Sequence, residues 1–581
     1  MAWWERYPEE LRKETVALDA LGCTWSFDLA AKEAGQLVVQ VDIPQGETVL
    51  RLTAAYPDAY PYFPPMVTAD QILFERHQHP VGKNLCLLAR EGEDWQPGHD
   101  TLATLLKEQL PLILDVNCQP AMSDAVARTE DHVGEPLSSF LSYALECAVI
   151  VPDETPPEDL CAGRLSVLAR EIPPQMSGRA FLNGVIEAIA DLQNKPVIRF
   201  APKTAVFNRR ITGFWLRLDK RPVLKDPQAA AYEFFQIIEA SIPAFAKTVN
   251  AAKAAEVFVA GFVYPDEVSW RTNANDWVFL AIRVRREAKR ARPATFDLEL
   301  VKADWGGQKA WLQRAPFLTP LRQKTALVIG VGSLGSPVCL HLARAGIARL
   351  RFVDNDNLQV GNTVRWALGW QYAGLQKTTA LAAHITHNYP YTDAKGFNFR
   401  VGSARPPGVS GPSEYEFLKS LCDEADIIID AAASHRVSHF LADLARELGK
   451  PFLWLTTTHG AAGGIVGRIR PQRTAGCWHC FIRNLADQTI GLPADAGTDE
   501  VQPGGCSQPT FIGAGIDTDT IAILASRLAV ATLTSDDQDG YPEFAWDVAV
   551  TDLQRDGMSL APRWDTYVLA RRSDCSACDP T

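Results

Sequence analysis

Thr325-Ala326-Leu327-Val328-Ile329-Gly330-Val331-Gly332-Ser333-Leu334-Gly335 decides the architecture of the carboxyl-terminal part of this chain. The run up to Ile329 carries no charge and reads as a buried strand. Glycines then permit a tight turn, and Ser336–Ala345 has the character of a helix. Such a turn presents backbone N–H groups to a phosphate at a helix N-terminus. Leu350–Val353 is a second buried-strand run, and Asp354 at its end can accept hydrogen bonds from ribose hydroxyls. Ile427–Ile429 and Phe452–Leu455 repeat the pattern. Strands alternating with helices predict a mainly parallel sheet, a Rossmann-like α/β domain. The turn alone fits any nucleotide binder of this kind, nicotinamide-dependent dehydrogenases included.

Working outward, 581 residues exceed one hydrophobic core. Three blocks separate. Residues 1–150 open with a helical pattern and continue with strand-like runs at Trp25–Leu29, Gln36–Ile43 and Thr48–Ala54. A Pro/Tyr segment, Tyr56 to Pro65, excludes a helix interior, and an apolar helical stretch follows at Thr101–Leu114. That order is α+β. Val151 to Pro157 reads as a linker. Residues 158–318 show strands at Phe214–Leu218, Glu256–Val263 and Trp277–Val284 and a helix at Ala229–Ala240. They form a middle α/β or α+β linker domain and carry no constellation that dictates a chemistry. Residues 319–581 hold the nucleotide-binding pattern.

A formal charge of −12 disfavours direct binding of nucleic acid, which needs a positive field over the phosphates. The basic run Arg283, Arg285, Arg286, Lys289, Arg290 and Arg292 is read as a solvated strand end and helix face. No stretch has the length of a membrane span, and Met1 to Glu10 lacks the apolar centre of a signal peptide. A cytoplasmic protein is expected. Its twelve cysteines are then ligands, nucleophiles or buried small residues rather than a disulfide framework.

Behind the second strand comes a polar series, Asp354, Asp356, Asn362, Arg365 and Lys377. Cations there can neutralise the phosphates of ATP as pyrophosphate departs, whereas hydride transfer has no need of them. From Gly330 through Asp354, Asn362, Arg365 and Lys377 to the cysteines beyond, the sequence resembles the ThiF/MoeB family of adenylating enzymes, which includes ubiquitin-activating enzymes. The resemblance implies that Gly330, Gly332 and Gly335 cradle ATP, that Asp354 holds the ribose, and that Asn362, Arg365 and Lys377 contact the phosphates. There is one departure. The family's second aspartate after the third strand is replaced in Asp430-Ala431-Ala432-Ala433-Ser434, so either Asp430 or Asp356 serves Mg²⁺ instead or the metal is handled differently.

Cys477-Trp478-His479-Cys480 and Cys575-Ser576-Ala577-Cys578 each present two thiolates, and together they make a four-sulfur structural Zn²⁺ site. A buried thiol set or a redox pair is the alternative. The wide separation matches the ThiF/MoeB pattern, in which the tail returns to an earlier loop. Cys506 lies in Gly504-Gly505-Cys506-Ser507-Gln508 after a polar, Gly/Pro-rich stretch. A cysteine in this place of activating enzymes attacks the acyl-adenylate and forms a thioester. Cys339, in an apolar helix, is expected to pack. Cys23, Cys118, Cys147, Cys161 and Cys422 are expected to be structural.

In the first block, His77-Gln78-His79-Pro80-Val81-Gly82-Lys83-Asn84-Leu85-Cys86-Leu87 follows the proline segment, and Trp95-Gln96-Pro97 comes next. This ordered set resembles ubiquitin-conjugating enzymes and makes Cys86 a thioester carrier. Val81 stands where that family has an asparagine that steadies the oxyanion, so Asn84 or His77 would have to serve. A degenerate docking module is the alternative.

Conjugating region first and activating region last resembles the fusion ligases of bacterial antiphage CBASS operons. The resemblance implies a homodimer that adenylates the free C-terminal carboxylate of a cyclic-oligonucleotide synthase (CD-NTase) or of a ubiquitin-like protein. The acyl group then passes through Cys506 and Cys86 to a target amine. A sulfur-carrier adenylyltransferase, a nicotinamide-dependent dehydrogenase and a scaffold without nucleotide turnover remain as competing readings.

Overall fold

The computed structural model describes residues 2–46, 48–80, 82–88, 94–118, 133–200, 204–224, 229–286, 294–404, 413–497, 500–501 and 510–578. The chain divides into two compact units. One comprises Met1–Ile150, Glu154–Phe200 and Arg209–Asp304, and the other Val151–Asp153, Ala201–Asn208 and Trp305–Thr581. No helix among the described residues is long and apolar enough to cross a membrane.

The first unit begins with an antiparallel sheet of β1 (Thr24–Phe27), β2 (Val38–Gln45), β3 (Thr48–Ala55) and β4 (Met66–Thr68), in that order. Alternation along β2 and β3 sends Val39, Val41, Leu50, Leu52 and Ala54 inward, as a half-buried sheet requires. The helices Pro8–Ala20 and Leu102–Glu108 pack together, and buried Glu14 joins them to the Pro/Tyr segment. Its carboxylate accepts from Tyr56 Oη at 2.9 Å, from Tyr60 Oη, and from the Leu102 N–H at 3.2 Å. The single helix expected over 101–114 is two, Leu102–Glu108 and Leu110–Cys118. Pro111 offers no N–H to the preceding turn, so it sits in a new first turn instead.

The rest of this unit is one eight-stranded sheet, ordered β5-β12-β11-β10-β9-β6-β7-β8. Its strands are β5 (Ala148–Val151), β6 (Ala162–Ala169), β7 (Asn183–Asp191), β8 (Pro196–Arg199), β9 (Arg209–Arg217), β10 (Val257–Ser269), β11 (Thr272–Arg285) and β12 (Thr295–Trp305). A further parallel pairing of β5 with β7 closes the sheet on itself. Most neighbours are antiparallel, and two successive helices, Ala230–Ser241 and Pro243–Ala251, bury Phe234 and Phe245 against Phe262 and Leu280. The middle region is therefore α+β in layout. Arg283, Arg285 and Arg286 lie at the end of β11 and just beyond it, whereas Lys289, Arg290 and Arg292 lie outside the described residues.

The second unit is built on an eight-stranded sheet ordered β15-β14-β13-β16-β17-β18-β21-β22. β13 (Thr325–Ile329), β14 (Arg349–Asp354), β15 (Asp393–Asn398), β16 (Ile427–Asp430) and β17 (Phe452–Thr457) run parallel. β18 (Gly463–Ile469), β21 (Val548–Arg555) and β22 (Met558–Tyr567) add antiparallel pairings. A separate two-stranded ribbon joins β19 (Glu500–Val501) to β20 (Thr510–Phe511).

Helices cover both faces of the parallel strands, so every residue of β13 is buried. Gly335–Arg344, Lys377–Asn388 and Gly515–Thr534 pack on one face, and Glu414–Glu424, His435–Glu447 and Trp478–Ala486 on the other. This is the Rossmann-like arrangement expected from the sequence. The chain order reverses between β13 and β16, and ligands of open α/β sheets bind at such a switch point, outside the carboxyl ends of the strands.

Candidate active site

Ile329 stands opposite Asp430 across β13 and β16, so both strands end at the same level and the glycine turn begins there. Gly330 has φ +85°, and a Cβ on it would lie 2.7 Å from the Ala431 carbonyl oxygen. Only glycine meets both conditions without strain. A Cβ on Gly335 would fall 1.9 Å from the Gly330 carbonyl oxygen, whereas one on Gly332 would meet nothing within 4 Å. Gly330 and Gly335 thus close the turn against its surroundings, and Gly332 leaves its outer side open to an approaching group.

The end of β14 is tied to this turn. Asp354 accepts from the Val331 N–H at 2.8 Å with one oxygen and from the Asp356 N–H at 2.8 Å with the other. Lys377, at the start of its helix, places Nζ 2.9 Å from an Asp356 carboxylate oxygen. Asn362 accepts from the Gln359 N–H at 3.1 Å, which braces the 3₁₀ turn Val360–Val364 just before Arg365.

Arg365 is fixed through its backbone neighbours. The indole of Trp366 donates to the Val331 carbonyl at 2.7 Å, and the Ala367 N–H donates to Ser336 Oγ at 3.2 Å. Ser336 in turn donates to the Gly332 carbonyl at 2.7 Å. From the other side Gly515, at the start of the long buried helix, packs closely: a Cβ on it would lie 3.0 Å from the Val364 carbonyl oxygen and 3.1 Å from Arg365 Cα. Partial burial pushes the Arg365 guanidinium below its usual range by making the charged form less favourable. Trp366 and Ser336 escaped the sequence reading, because a tryptophan in a short turn and a serine in a helix carry no motif of their own.

Asp430 is almost fully buried, and its carboxyl is pushed up by that burial despite hydrogen bonds from Ser438 and the Ala432 N–H. Ala433, where the family resemblance expects an aspartate, has φ +52°, a left-handed conformation that disfavours a Cβ. The residues facing the turn offer carboxylate oxygens from Asp430 and Asp356, the donor chemistry that suits Mg²⁺.

The four cysteines of the two knuckles come together. Cys477, Cys480, Cys575 and Cys578 place all Sγ atoms within 4.8 Å of one another. Individual separations are 3.6 Å for Cys477–Cys575, 3.5 Å for Cys480–Cys578 and 3.8 Å for Cys477–Cys480. A tetrahedral ion with bonds of about 2.3 Å to sulfur requires sulfurs about 3.8 Å apart, so the set fits Zn²⁺. The Arg572 N–H points at Cys480 Sγ at 3.4 Å, and His479 lies 3.6 Å from Asp443 rather than among the sulfurs.

Cys506 lies outside the described residues. Its flanks are β19 and β20, and β20 packs against the turn His459–Ala461 that follows β17. His459 Nδ1 is 3.1 Å from an Asp495 carboxylate oxygen there. Neither residue was singled out in the sequence, where a lone histidine and a loop aspartate are unremarked.

In the first unit Cys86 is exposed, and its N–H donates to the His77 carbonyl at 2.8 Å. His79 Nδ1 accepts from the Gly82 N–H at 3.0 Å, and burial lowers the basicity of this imidazole. Asn84 Oδ1 lies over Gly82, 2.8 Å from where a Cβ would stand. Val81 lies outside the described residues. Cys339, Cys422 and Cys147 are buried, as structural cysteines should be, but Cys161 is exposed. Cys118 ends the helix Leu110–Cys118.

Residues 310–565 match the ThiF family. Over 593 aligned positions the chain is 29% identical to an uncharacterized protein, y4oA, of Sinorhizobium fredii, covering 99% of this chain and 97% of that one. A second uncharacterized protein of that bacterium, y4qC, is 29% identical over 96% of this chain and 94% of its own. The ATP-dependent ubiquitin transferase-like protein Cap2 of Enterobacter hormaechei is 33% identical over 150 residues, which are 26% of this chain and 23% of Cap2.

Proposed function

We propose, from the match of residues 310–565 to the ThiF family, that this chain is an ATP-dependent adenylyltransferase acting on the C-terminal carboxylate of a protein. The observation that carries this reading is the cluster beyond the ends of β13 and β14, where Asp354 and Trp366, next to Arg365, both bond the glycine turn and Lys377 pairs with Asp356. Gly332 leaves room for a phosphate, Asp354 suits a ribose, and the two cations suit a departing pyrophosphate. Asn362 completes the phosphate contacts. Asp430 or Asp356 would hold Mg²⁺, which supplies charge neutralisation on the phosphates when bound.

A carboxylate oxygen attacks the α-phosphorus, pyrophosphate leaves, and an acyl-adenylate forms. The Cys506 thiolate then attacks the acyl carbon and AMP departs with the bonding electron pair. Exchange onto the Cys86 thiolate frees Cys506, and an amine finally displaces Cys86 to give an amide. Each exchange splits a hard acyl transfer into easier ones, and release of pyrophosphate from ATP drives the uphill step at the start. In this reading residues 1–150 are a ubiquitin-conjugating-like domain, residues 158–318 a linker domain and residues 319–581 the adenylation domain. Cys477, Cys480, Cys575 and Cys578 hold a structural Zn²⁺. The likeness to Cap2 supports transfer of the ubiquitin type. The carboxylate belongs to a CBASS cyclic-oligonucleotide synthase or a ubiquitin-like protein, and the enzyme works as a homodimer in the cytoplasm.

The test is ATP–pyrophosphate exchange with a purified cyclic-oligonucleotide synthase and with a ubiquitin-like protein, each ending in a free carboxylate. Exchange that depends on either, with a thiol-sensitive adduct lost in a Cys506→Ala, Cys86→Ala chain, is expected. No exchange with both partners overturns the adenylation reading. Full product formation by Cys86→Ala alone removes the relay and leaves a sulfur-carrier type of adenylyltransferase.

A further inference from the structure

We infer that the hairpin of β10 and β11, through Glu267, and the segment before the middle sheet, through Glu135, position the Cys86 loop; this rests on the thiol role of Cys86 proposed above. The residues 158–318 carry no chemistry in sequence, yet the long hairpin of β10 and β11 and the strand of chain before the sheet converge on two residues beside that loop.

Arg76 is the first contact. Its Nη1 lies 2.8 and 3.0 Å from the two carboxylate oxygens of Glu267, near the tip of β10, and its Nη2 donates to the Val133 carbonyl at 3.0 Å. Both side chains are largely withdrawn from water, at 12% and 14% exposure, so the pair is held more firmly than a surface bridge. Asn117 clamps the Arg76 backbone on both sides, accepting from its N–H and donating to its carbonyl, each at 3.0 Å.

His77 is the second contact. It is buried with φ +60°, a left-handed conformation that a residue with a Cβ keeps only where its surroundings enforce it. Its N–H donates to Glu135 Oε1 at 2.7 Å, and its carbonyl accepts the Cys86 N–H at 2.8 Å. A single residue therefore links Glu135 to the backbone of Cys86. Gly134 seals the contact, because a Cβ on it would fall 2.5 Å from Ser269 Cα at the hairpin tip. Phe140 sets its ring edge-on to His79, with centroids 5.2 Å apart. Asn117, residues 133–140 and the hairpin thus each hold the Arg76–His77 turn.

Glu135 and Glu267 are positioning residues, since they reach the thiol only through His77 and Arg76. An attacking group displaced by about 1 Å loses on the order of 100-fold in rate, so a loosened turn should register at the sulfur.

The experiment uses the full chain and iodoacetamide as the thiol probe, with alkylation of Cys86 and Cys161 followed by peptide mass spectrometry and amide exchange read over residues 77–87. Glu135→Ala is expected to raise exchange at the Cys86 amide about tenfold or more and to change its alkylation rate several-fold. Exposed Cys161 and the melting temperature should stay at their wild-type values. Glu135→Gln keeps an oxygen for the His77 N–H and should restore both Cys86 readouts. Glu267→Gln, which leaves the Arg76 charge buried without its partner, should move Cys86 in the same direction as Glu135→Ala. Wild-type Cys86 behaviour in Glu135→Ala overturns the inference, as does Glu135→Gln behaving like Glu135→Ala, or Cys161 changing in parallel. Alkylation needs no acyl transfer, so failure of the relay in a Cys86→Ala chain leaves this result to be judged separately.

Discussion

Lys377 and Asp356 hold each other twice: Nζ lies 2.9 Å from a carboxylate oxygen, and the Lys377 N–H donates to the Asp356 carbonyl at 3.0 Å. The lysine is mostly buried and the aspartate mostly exposed, at 11% and 59%. Under the proposed adenylation, an incoming triphosphate would meet a cation that Asp356 already orients.

Lys377→Ala and Arg365→Ala should each lower ATP–pyrophosphate exchange by about 10²–10³, the cost of one lost charge-stabilising group in a preorganised site. Measured Km for ATP should change far less than kcat. A raised Km with kcat unchanged would assign these residues to ground-state binding instead.

The glycines of the turn should separate by substitution with alanine. Gly330→Ala places a Cβ against Ala431 at φ +85°, and Gly335→Ala drives one into the Gly330 carbonyl. Each should destabilise the second unit by about 1–3 kcal/mol in denaturant melts. Gly332→Ala meets no atom and should melt within ~0.5 kcal/mol of wild type, while binding ATP more weakly in calorimetry.

Asp430 links pH to stability with a definite sign. Burial raises its carboxyl in the folded state above the ordinary value of 3.8, so the folded chain holds that proton more tightly than the unfolded one. Its contribution is fully present below the unfolded value and is lost as pH rises through the folded one. Asp430→Asn should therefore flatten this part of the pH–stability curve and raise the melting temperature at pH 8, while lowering adenylation. A lower melting temperature at pH 8 would refute this account.

Metal analysis of the freshly purified chain should find about one zinc per chain, bound by the four sulfurs. Cys480→Ser or Cys575→Ser should lower both zinc content and melting temperature. Chelation should destabilise the second unit without altering exposed Cys86, since a closed four-thiolate site staples rather than catalyses.

Much of the second unit was legible because its signals are local. A charge-free strand, glycines at a turn and an aspartate at the next strand end are consequences of backbone geometry over about 30 residues, and β13, β14, β16 and β17 lie where those runs predicted them. The cysteine knuckles were legible for the same reason: each is a short spacing, and only their pairing spans the chain. Placement in space was not. Trp366 and Ser336 hold Arg365 through bonds to Val331 and Gly332, some thirty residues away in sequence, and no spacing rule encodes them.

By itself, then, the sequence determined the elements and the chemistry each residue type offers, since strand, helix, turn and thiolate preferences act between near neighbours. The tertiary structure alone decided which of those groups meet. It closed the middle sheet through β5 and β7, set Lys377 on Asp356, gathered four sulfurs within 4.8 Å, and bound Arg76 to Glu267 across 191 residues. Such meetings follow from burying many separate apolar faces at once, a balance struck over the whole chain rather than along any stretch of it.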